Sequence, residues 1–522
     1  MKEDLKKILG NIIEADKSLD PSQHGAVLLN IPSALFAPAA KALKGAGFRL
    51  ASEWAVDESP FKKGYGVMAA YNKEGDYLIV KTSLPKGETA FPSLTKKYTA
   101  AYRFERQINS LMGLIPTGHP DLRPWIKHED WPQDAYPLRK SFDAKKQLGR
   151  VDGSYKWIRA EGEGIIEIAV GPVHAGIIEP GHFRFQSVGE DIINLETRFG
   201  YVHKGIEKRF EELTWSEAAR LAGRVSGDTT AAHAIGFCRA VEAASSCVVP
   251  KRAHWIRAIL LERERIANHL GDIGAVCNDA AFTFMLYQMA ILREKVLRNN
   301  HRIFGHRLTM DKVIPGGVSA DITEEGIKIM QDEMEGLASE FERLVKIYED
   351  NPSLEDRVYG AGILTPDVAK EIGAVGFVGR SSGQRCDART QSPWPPYDEI
   401  VPNLTVLTSG DVHARVWVRI EEVRDSIRLV RKMLKSLPEG FINIDCQEPQ
   451  PGISGFSAVE GWRGEIIYWI EAGPDCDINR VMVRDPSSVN WLSIEQAIKG
   501  NIVPDFPLCN KSFNQSYSGH DL

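Results

Sequence analysis

One stretch of the chain joins turn-forming residues to ionisable side chains, and it reads Gly171-Pro172-Val173-His174-Ala175-Gly176-Ile177-Ile178-Glu179-Pro180-Gly181-His182-Phe183-Arg184-Phe185. Glycine and proline at this density mark reversals of the chain, so the stretch is predicted to form a strand–turn–strand hairpin. His174 and Glu179 lie five residues apart on this hairpin. We therefore treat both side chains as candidates for one site.

The N-terminal part of the chain mixes helix and strand patterns. Apolar runs at 26–31 and 77–81 predict strands, and residues 33–43 between them predict a helix. An amphipathic helix is predicted to precede them, carrying Leu5, Ile8, Ile12 and Ile13 on one face. We expect a small α/β domain here, followed by a polar, proline-rich connection at 116–160.

From Leu213 onward the pattern becomes helical. Apolar residues spaced three and four apart from Ile327 to Leu344 predict a long packed helix, with Thr323 as its N-cap. The segments 256–270 and 423–434 repeat this spacing. The fold class is therefore α+β: a small N-terminal α/β domain followed by a mainly helical bundle with peripheral β hairpins.

Composition excludes several classes of protein. The 522 residues carry a net charge of −6, which gives no sign of nucleic-acid binding. The seven cysteines never fall at C-x-x-C spacing, so neither a disulfide framework nor a zinc site is expected. The sequence contains no run of 18 apolar residues, so no direct membrane span is predicted. Residues 1–7 also lack the apolar core of a signal peptide. We expect a cytoplasmic protein that reaches a membrane only through partners.

Further motifs follow the 171–185 stretch in a fixed order. They are Tyr201-Val202-His203-Lys204-Gly205-Ile206-Glu207-Lys208, Val249-Pro250-Lys251-Arg252-Ala253, Arg263-Glu264-Arg265-Ile266-Ala267-Asn268-His269-Leu270, Pro315-Gly316-Gly317-Val318, Gly410-Asp411 and Arg463-Gly464-Glu465. In this order they resemble the large subunit of membrane-bound, energy-converting NiFe hydrogenases. They are also similar to the paralogous large hydrophilic subunit of respiratory complex I. The resemblance runs from about residue 165 to the end.

A second group of motifs resembles the small hydrophilic subunit of complex I over residues 24–142. The motifs are Arg103-Phe104-Glu105-Arg106-Gln107-Ile108-Asn109, Gly118-His119-Pro120-Asp121-Leu122-Arg123, Glu129-Asp130-Trp131 and Pro137-Leu138-Arg139-Lys140. Asn109 and Ser110 depart from it, because that family usually has acidic residues there. Formate hydrogenlyase large subunits fuse the same two modules in this order. The resemblance divides the chain into a domain at 1–142, a linker at 143–164 and a second domain at 165–522.

The resemblance also implies two C-x-x-C pairs that would bind nickel, and this chain lacks all four cysteines. Their positions hold Ser226, Thr229, Ser516 and Gly519. Soft metals of this kind are held by thiolates, for which a hydroxyl or a glycine is no substitute. We therefore predict no metal site in the chain and no hydrogenase activity.

Two candidate catalytic residues lie on the hairpin. His174 matches a histidine at the quinone head-group site of complex I, and a histidine can exchange a proton near neutral pH. The alternative is that His174 is a turn residue whose ring hydrogen-bonds to the backbone. Glu179 matches the glutamate that relays protons beside the metal of NiFe hydrogenases. The alternative is a structural carboxylate paired with His182 or Arg184.

Asp228 is the third candidate catalytic residue. It follows Gly227, at whose position complex I has a tyrosine that hydrogen-bonds quinone and the hydrogenases have glycine. The alternative interpretation, which we favour, is an ion pair between Asp228 and a basic side chain such as Arg224.

Two further residues resemble side chains that lie close to an iron–sulfur cluster of a partner subunit. Arg224 would raise the reduction potential of that cluster, and His269 would couple a proton to its reduction. The alternatives are an ion pair of Arg224 with a carboxylate of the bundle and contacts of His269 with the helix around 262–265. Arg463-Gly464-Glu465 and Asp387 are expected to hold the fold.

The resemblance implies a subunit of an oxidoreductase that couples electron transfer to ion translocation without a NiFe centre. Its partners would be a cluster-bearing small subunit and antiporter-like membrane subunits. The chain itself would carry no cofactor, although quinone remains a candidate acceptor. Two alternatives stay open: a non-catalytic coupling subunit that docks the cluster-bearing partner, and a quinone-reducing subunit like those of NADH dehydrogenase.

Overall fold

A computed structural model describes residues 2–10, 23–128, 131–145, 147–151, 153–174 and 178–522. The N-terminal elements are α1 (Lys2–Leu9), β1 (Gln23–His24), β2 (Val27–Asn30), α2 (Ser33–Gly45), β3 (Arg49–Asp57), β4 (Tyr65–Lys73), β5 (Asp76–Leu84), β6 (Ala90–Pro92), α3 (Ala101–Met112) and β7 (Ile115–Thr117). Strands β2 to β5 form one sheet in the order β2-β5-β4-β3, in which β2 runs parallel to β5. Helix α2 packs on this sheet and buries Phe36 and Leu43.

The segment after β7 has no helix or strand among its described residues up to 164, as its prolines predict. Its first part is nevertheless buried, because Trp125 and Ile126 are each 2 % exposed. The buried Arg198 guanidinium donates to the carbonyls of Pro124, at 2.7 Å, and of Lys127, at 3.0 Å. The connection therefore wraps the part of the chain that follows it.

The predicted hairpin is present. Strands β8 (Ile165–Val170), β9 (His182–Val188) and β10 (Asp191–Arg198) form an antiparallel sheet in the order β10-β9-β8. His174 and Glu179 lie in the loop between β8 and β9. Residues 175–177 of that loop fall outside the described residues.

The helical part is built around one long buried helix. Its elements are α4 (Ile206–Phe210), α5 (Trp215–Ala222), α6 (Thr230–Ala244), α7 (Lys251–Asp279), α8 (Thr283–Phe304), β11 (Val313–Ile314), β12 (Gly317–Val318), α9 (Glu324–Glu349), α10 (Pro352–Val358), α11 (Pro366–Ile372), α12 (Gly376–Arg380), α13 (Ala388–Gln391) and α14 (Val412–Lys435). Helix α7 packs against α8, α14 and α6. Thr323 caps α9 as predicted, because its side chain accepts a hydrogen bond from the Gly326 N–H.

The C-terminal part returns to the N-terminal sheet. Its elements are β13 (Ser454–Gly461), β14 (Gly464–Ala472), β15 (Ile478–Arg484), α15 (Ser487–Ala497), α16 (Phe506–Phe513) and α17 (Tyr517–Asp521). Strand β1 joins this second sheet, whose order is β1-β13-β14-β15. The two four-stranded sheets share a core in which the rings of Trp54 and Trp469 lie 5.7 Å apart.

The α+β fold class is confirmed, and the predicted strands and long helices are present. The strand pattern at 26–31 corresponds to β2, and the apolar face at 327–344 is the buried face of α9. Ile12 and Ile13 of the predicted N-terminal helix lie outside the described residues. The domain bounds at 142 and 165 stay a prediction.

Candidate active-site cavity

A cavity of about 450 Å³ lies where the hairpin loop, α7, α8 and the C-terminal segment meet. Three acidic and three basic side chains line it: Glu179, Asp228, Asp272, Arg293, Arg463 and Lys511. Apolar walls come from Ile178, Ala275, Leu286 and Ala290. A concave site with both apolar walls and convergent polar groups is the usual form of a small-molecule site.

Asp228 forms a bidentate ion pair with Arg463 on the wall of this cavity. The two guanidinium nitrogens each lie 2.7 Å from a carboxylate oxygen. Ser226 and Thr229 donate to the same carboxylate, both at 2.8 Å. Burial raises the pKa of Asp228, but Arg463 and the two hydroxyls outweigh it and hold the pKa at about 2. Asp228 is therefore a carboxylate at neutral pH.

The expected ion pair of Asp228 with a basic side chain is present, but its partner is Arg463 and not Arg224. Arg224 points away and pairs with Asp311 through two hydrogen bonds of 2.9 Å at an exposed site. The chain between α5 and α6 is a tight turn, so residues four apart do not share a helical face there. The carboxylate that pairs with Arg224 comes instead from the connection between α8 and β11.

The four positions at which the resemblance implies cysteines lie close together, but hydrogen bonds among the residues present close the space between them. The hydroxyls of Ser226 and Ser516 lie 2.9 Å apart. The Ser516 hydroxyl also accepts from the Gly519 N–H at 2.8 Å, which caps α17. A side chain at Gly519 would place its Cβ 2.6 Å from Cγ of Asp485. The residues present therefore do not fit a NiFe centre.

Asp485, which fills the space beside Gly519, is held by a buried histidine. His233 lies 3.0 Å from Asp485 through Nε2 and 3.0 Å from the Tyr468 hydroxyl through Nδ1. The Asp485 carboxylate also accepts from the Ser487 N–H at 2.8 Å. All of these contacts are made within the chain, so buried partners enclose the Asp485 carboxylate. Among the described residues, no group of three or more His, Cys, Asp or Glu could hold a metal.

Glu179 lines the cavity, whereas His174 does not belong to its described lining. The Glu179 carboxylate accepts from the Ser518 N–H at 3.0 Å, which ties the hairpin loop to the C-terminal segment. The partners that the sequence suggests for Glu179 are engaged elsewhere, Arg184 with Glu167 and His182 with a backbone carbonyl. His174 lies 2.8 Å from the carbonyl of Gly181, which matches the backbone-satisfied alternative.

His269 is sealed inside the bundle. Its Nε2 lies 2.8 Å from the carboxylate of Glu422 on α14, rather than contacting the helix around 262–265. Burial lowers the pKa of His269 more than Glu422 raises it. Nδ1 has no hydrogen-bond partner among the described residues.

Around Glu422 lies a cluster that we call the arginine–carboxylate core, which consists of Glu262, Arg265, Arg380, Asp387, Arg389, Glu422 and Glu460. Its side chains are at most 6 % exposed. Asp387 pairs with Arg389 inside it, at 2.7 Å, which confirms its expected role in holding the fold. Glu465 has a similar role elsewhere, joining Arg49 and Tyr77 of the N-terminal sheet to Arg484.

Two residues beside the cavity have positions that the sequence did not predict. Arg463 forms an ion pair, as expected, but the pair lies on the cavity wall with Asp228. Glu264 is buried behind Asp228 and accepts hydrogen bonds from two N–H groups at the start of α6, Ala231 at 2.6 Å and Ala232 at 3.1 Å. Burial raises the pKa of Glu264 to about 8. Nothing in the sequence distinguishes Glu264 from the other charged residues of α7.

Comparisons with known proteins agree on one family. Residues 279–454 match the 49-kDa subunit of respiratory-chain NADH dehydrogenase, and residues 29–148 match its 30-kDa subunit. Hydrogenase-4 component G of Escherichia coli is 32% identical over 476 residues, which cover 89% of this chain and 82% of that protein. Formate hydrogenlyase subunit 5 of the same organism is 31% identical over 85% of this chain and 79% of its own length.

Two further comparisons add one relative and one protein of similar fold. The C/D subunit of NADH-quinone oxidoreductase from Bacteroides thetaiotaomicron is 30% identical over 81% of this chain and 85% of its own length. A polypeptide of the archaeal membrane-bound sulfane sulfur reductase, a respiratory membrane complex, has a similar fold, with a TM-score of 0.65 and 24% identity. That likeness covers 70% of this chain and 100% of the archaeal one. In the described part of the present chain, no helix is long and apolar enough to cross a membrane.

Proposed function

Since the chain belongs to the family of complex I 49-kDa and 30-kDa subunits and membrane-associated hydrogenase subunits, we propose that it is the fused large subunit of such an oxidoreductase. The complex couples electron transfer to ion translocation, and this subunit works without a NiFe centre. Its electrons come from an iron–sulfur cluster of a partner, and its cavity receives the electron acceptor.

One observation carries this proposal. Hydrogen bonds close the positions at which a NiFe centre would need cysteine ligands, while the cavity beside them is open. Ser226, Thr229 and Ser516 direct their hydroxyls to one another and to Asp228. Glu179 and the Asp228–Arg463 pair nevertheless line a space of about 450 Å³. In a subunit with only a structural role, larger side chains that filled this cavity would stabilise the fold through closer packing.

The side chains on the walls have distinct chemical roles. Asp228 and Arg463 form a charged, hydrogen-bonded pair that orients a polar acceptor without changing protonation near neutral pH. Glu179 is the candidate proton carrier, because its carboxylate lies at the wall and a glutamate can give and take protons. His174 lies in the same loop as Glu179, where the Gly181 carbonyl holds it as a positioning residue.

The partners follow from the family. We expect a cluster-bearing small subunit and antiporter-like membrane subunits, with the chain peripheral on the cytoplasmic side. Arg224 is the surface candidate for a contact near the partner's cluster, because it is 41% exposed. His269 is buried against Glu422, so we expect it to act on a cluster only through its electrostatic field. Quinone is one candidate acceptor.

The test is a purified complex whose cluster potential and spectrum are followed while acceptors such as a short-chain quinone are added. We expect an acceptor-dependent redox change of the adjacent cluster, and no stoichiometric nickel by elemental analysis. Glu179→Gln should cut turnover and ion transport strongly while leaving assembly intact. Glu167→Gln, on β8 of the same hairpin and paired with Arg184, is the matched control.

The closed ligand positions also favour a second candidate, a non-catalytic coupling subunit. In that case the cluster would not respond to any acceptor, and Glu179→Gln would transport ions like the wild type. One nickel per chain, lost on Ser226→Ala, would instead contradict both candidates.

A further inference from the structure

Arg293 on α8 lines the cavity without a partner of its own. Among the described residues it makes no hydrogen bond and no ion pair, and its buried Nε is unsatisfied. The stem lies against α7 at Gly271, where a Cβ would be 3.4 Å from Cδ and 3.5 Å from Nε. The guanidinium is therefore held in place by packing, since no carboxylate of the described residues holds it.

Two of the three acids in the lining form direct ion pairs. Asp228 is matched by Arg463. Asp272 has Oδ2 3.1 Å from Nε of Arg419. Equal numbers of acidic and basic side chains in the lining therefore do not mean that every charge is matched. Arg419, which pairs with Asp272, does not belong to the lining.

The remaining acid and base of the lining also have neighbours outside it. Burial lowers the pKa of Lys204, and Glu179 lies close enough to offset part of that shift. Burial raises the pKa of Asp279, and Lys511 offsets part of that shift in the same way. Lys511 thus has an acid nearby, whereas Arg293 makes no ion pair with any described carboxylate.

Glu264, a further acid near Arg293, does not balance the charge of the guanidinium. Glu264 lines a small void that Arg293 and Asp228 also line. Its carboxyl is occupied by the two N–H groups of α6, and its raised pKa of about 8 keeps it protonated at neutral pH. A protonated carboxyl carries no charge to set against the guanidinium.

We propose that the cavity binds a small molecule with a carboxylate or similar anionic head on an apolar body, and that Arg293 is its principal charged contact. A guanidinium matches a carboxylate through two parallel hydrogen bonds. The apolar body fits against Leu286 and Ala290, which flank Arg293 on α8 and line the same cavity. The inference deepens the proposed function, since it names the class of molecule that the cavity accepts.

The test uses the purified full chain, benzoate as probe and benzamide as its neutral counterpart of the same shape, with binding followed by calorimetry. We expect benzoate to bind at least roughly tenfold more tightly than benzamide, as a charge-assisted contact requires. Arg293→Gln should remove this preference, and Arg293→Lys should keep part of it. Arg298→Gln is the control, because Arg298 lies on the same helix but pairs with Glu294 at an exposed site.

Three results would overturn the inference: equal binding of the two probes by the wild type, no benzoate binding at millimolar concentrations, or a benzoate preference that survives in Arg293→Gln. Circular dichroism of each variant identifies a folding defect, and Arg293→Lys then supplies the comparison. The assay needs no redox partner. A cluster that ignores every acceptor, together with intact benzoate discrimination, would refute the proposed function and leave this inference standing.

Discussion

Helix α7 carries two buried glutamates, Glu262 and Glu264, that face two different regions of the molecule. Glu262 faces the arginine–carboxylate core, where it accepts from Arg389 at 3.0 and 3.1 Å and from the hydroxyls of Tyr397 and Ser426 at 2.6 Å. Glu264 faces the cavity side and accepts from two backbone N–H groups. Burial raises the pKa of both, but Arg389 and Arg265 outweigh it at Glu262 and lower its pKa.

The difference teaches that burial alone does not set the charge of a carboxyl group. A guanidinium partner makes Glu262 a fixed anion, and its absence leaves Glu264 protonated near neutral pH. In the core, guanidinium groups meet carboxyl groups, although burial still raises the pKa of Glu460 to about 7 beside Arg380. The cavity side keeps a protonated acid and an unmatched cation, which is what a site for an exchangeable ligand or proton requires.

The largest effect should come from breaking the core at Arg380. This side chain donates to Glu422 at 3.1 Å and to Glu460 at 2.8 Å, so Arg380→Leu leaves two buried carboxylates without their main cation. We expect the free energy of unfolding in guanidinium chloride to fall by about 3–5 kcal/mol. Arg343→Leu, which removes an exposed pair within α9, should cost under about 1 kcal/mol. Equal losses would refute the distinction between the core and the surface.

A smaller effect should appear at Glu264 as a pH dependence. Because the folded pKa is raised to about 8, the stability that the protonated group confers is present below pH 4.5 and is lost as pH rises through 8. Glu264→Gln removes that loss. Between pH 5 and 9 the variant should gain roughly 2–4 kcal/mol relative to the wild type in denaturant titrations. Glu262→Gln should show no such gain, since the pKa of Glu262 is lowered; a parallel gain would contradict the comparison.

Asp228→Asn should have a still smaller effect on stability. The side chain is 36% exposed, so solvent screens its pair with Arg463 and we expect a loss of about 1 kcal/mol at pH 6. Because the pKa is depressed to about 2, the loss should disappear as pH falls from about 4 towards 2. Thermal melts of the variant and the wild type at several pH values would measure this. A loss that persists at pH 2 would mean that the ion pair is not its source.

The smallest effect should follow from Ser226→Ala. The hydroxyl bridges Ser516 and Asp228, and its removal should cost about 0.5 kcal/mol in chemical denaturation. Ser409→Ala is a suitable control, because its hydroxyl makes only a long contact of 3.4 Å with Asp411. A larger cost in the control would show that the closed ligand positions are not held by this bridge.

Local patterns in the sequence predicted much of the fold. The apolar spacing of α9 and its cap at Thr323 are encoded within a few turns of chain, and both are confirmed. The partner of Asp228 could not be found in this way, since Arg463 lies 235 residues away and Arg224 lies only four. Periodicity also gave no means to separate Glu264 from Glu262, because their difference depends on what α6 and α13 bring to either side of α7.

The pairing of β1 with β13, and of Trp54 with Trp469, has a consequence for synthesis of the chain. Strands that lie at opposite ends of the sequence complete one another, so the apolar face of β3 has no cover until β14 leaves the ribosome. At about 5–20 residues per second, this interval lasts roughly 20–80 s. During that time the nascent N-terminal sheet presents Trp54, Met68 and Ile79 to the surrounding medium. The N-terminal sheet therefore keeps an exposed apolar face until the last sheet is synthesised.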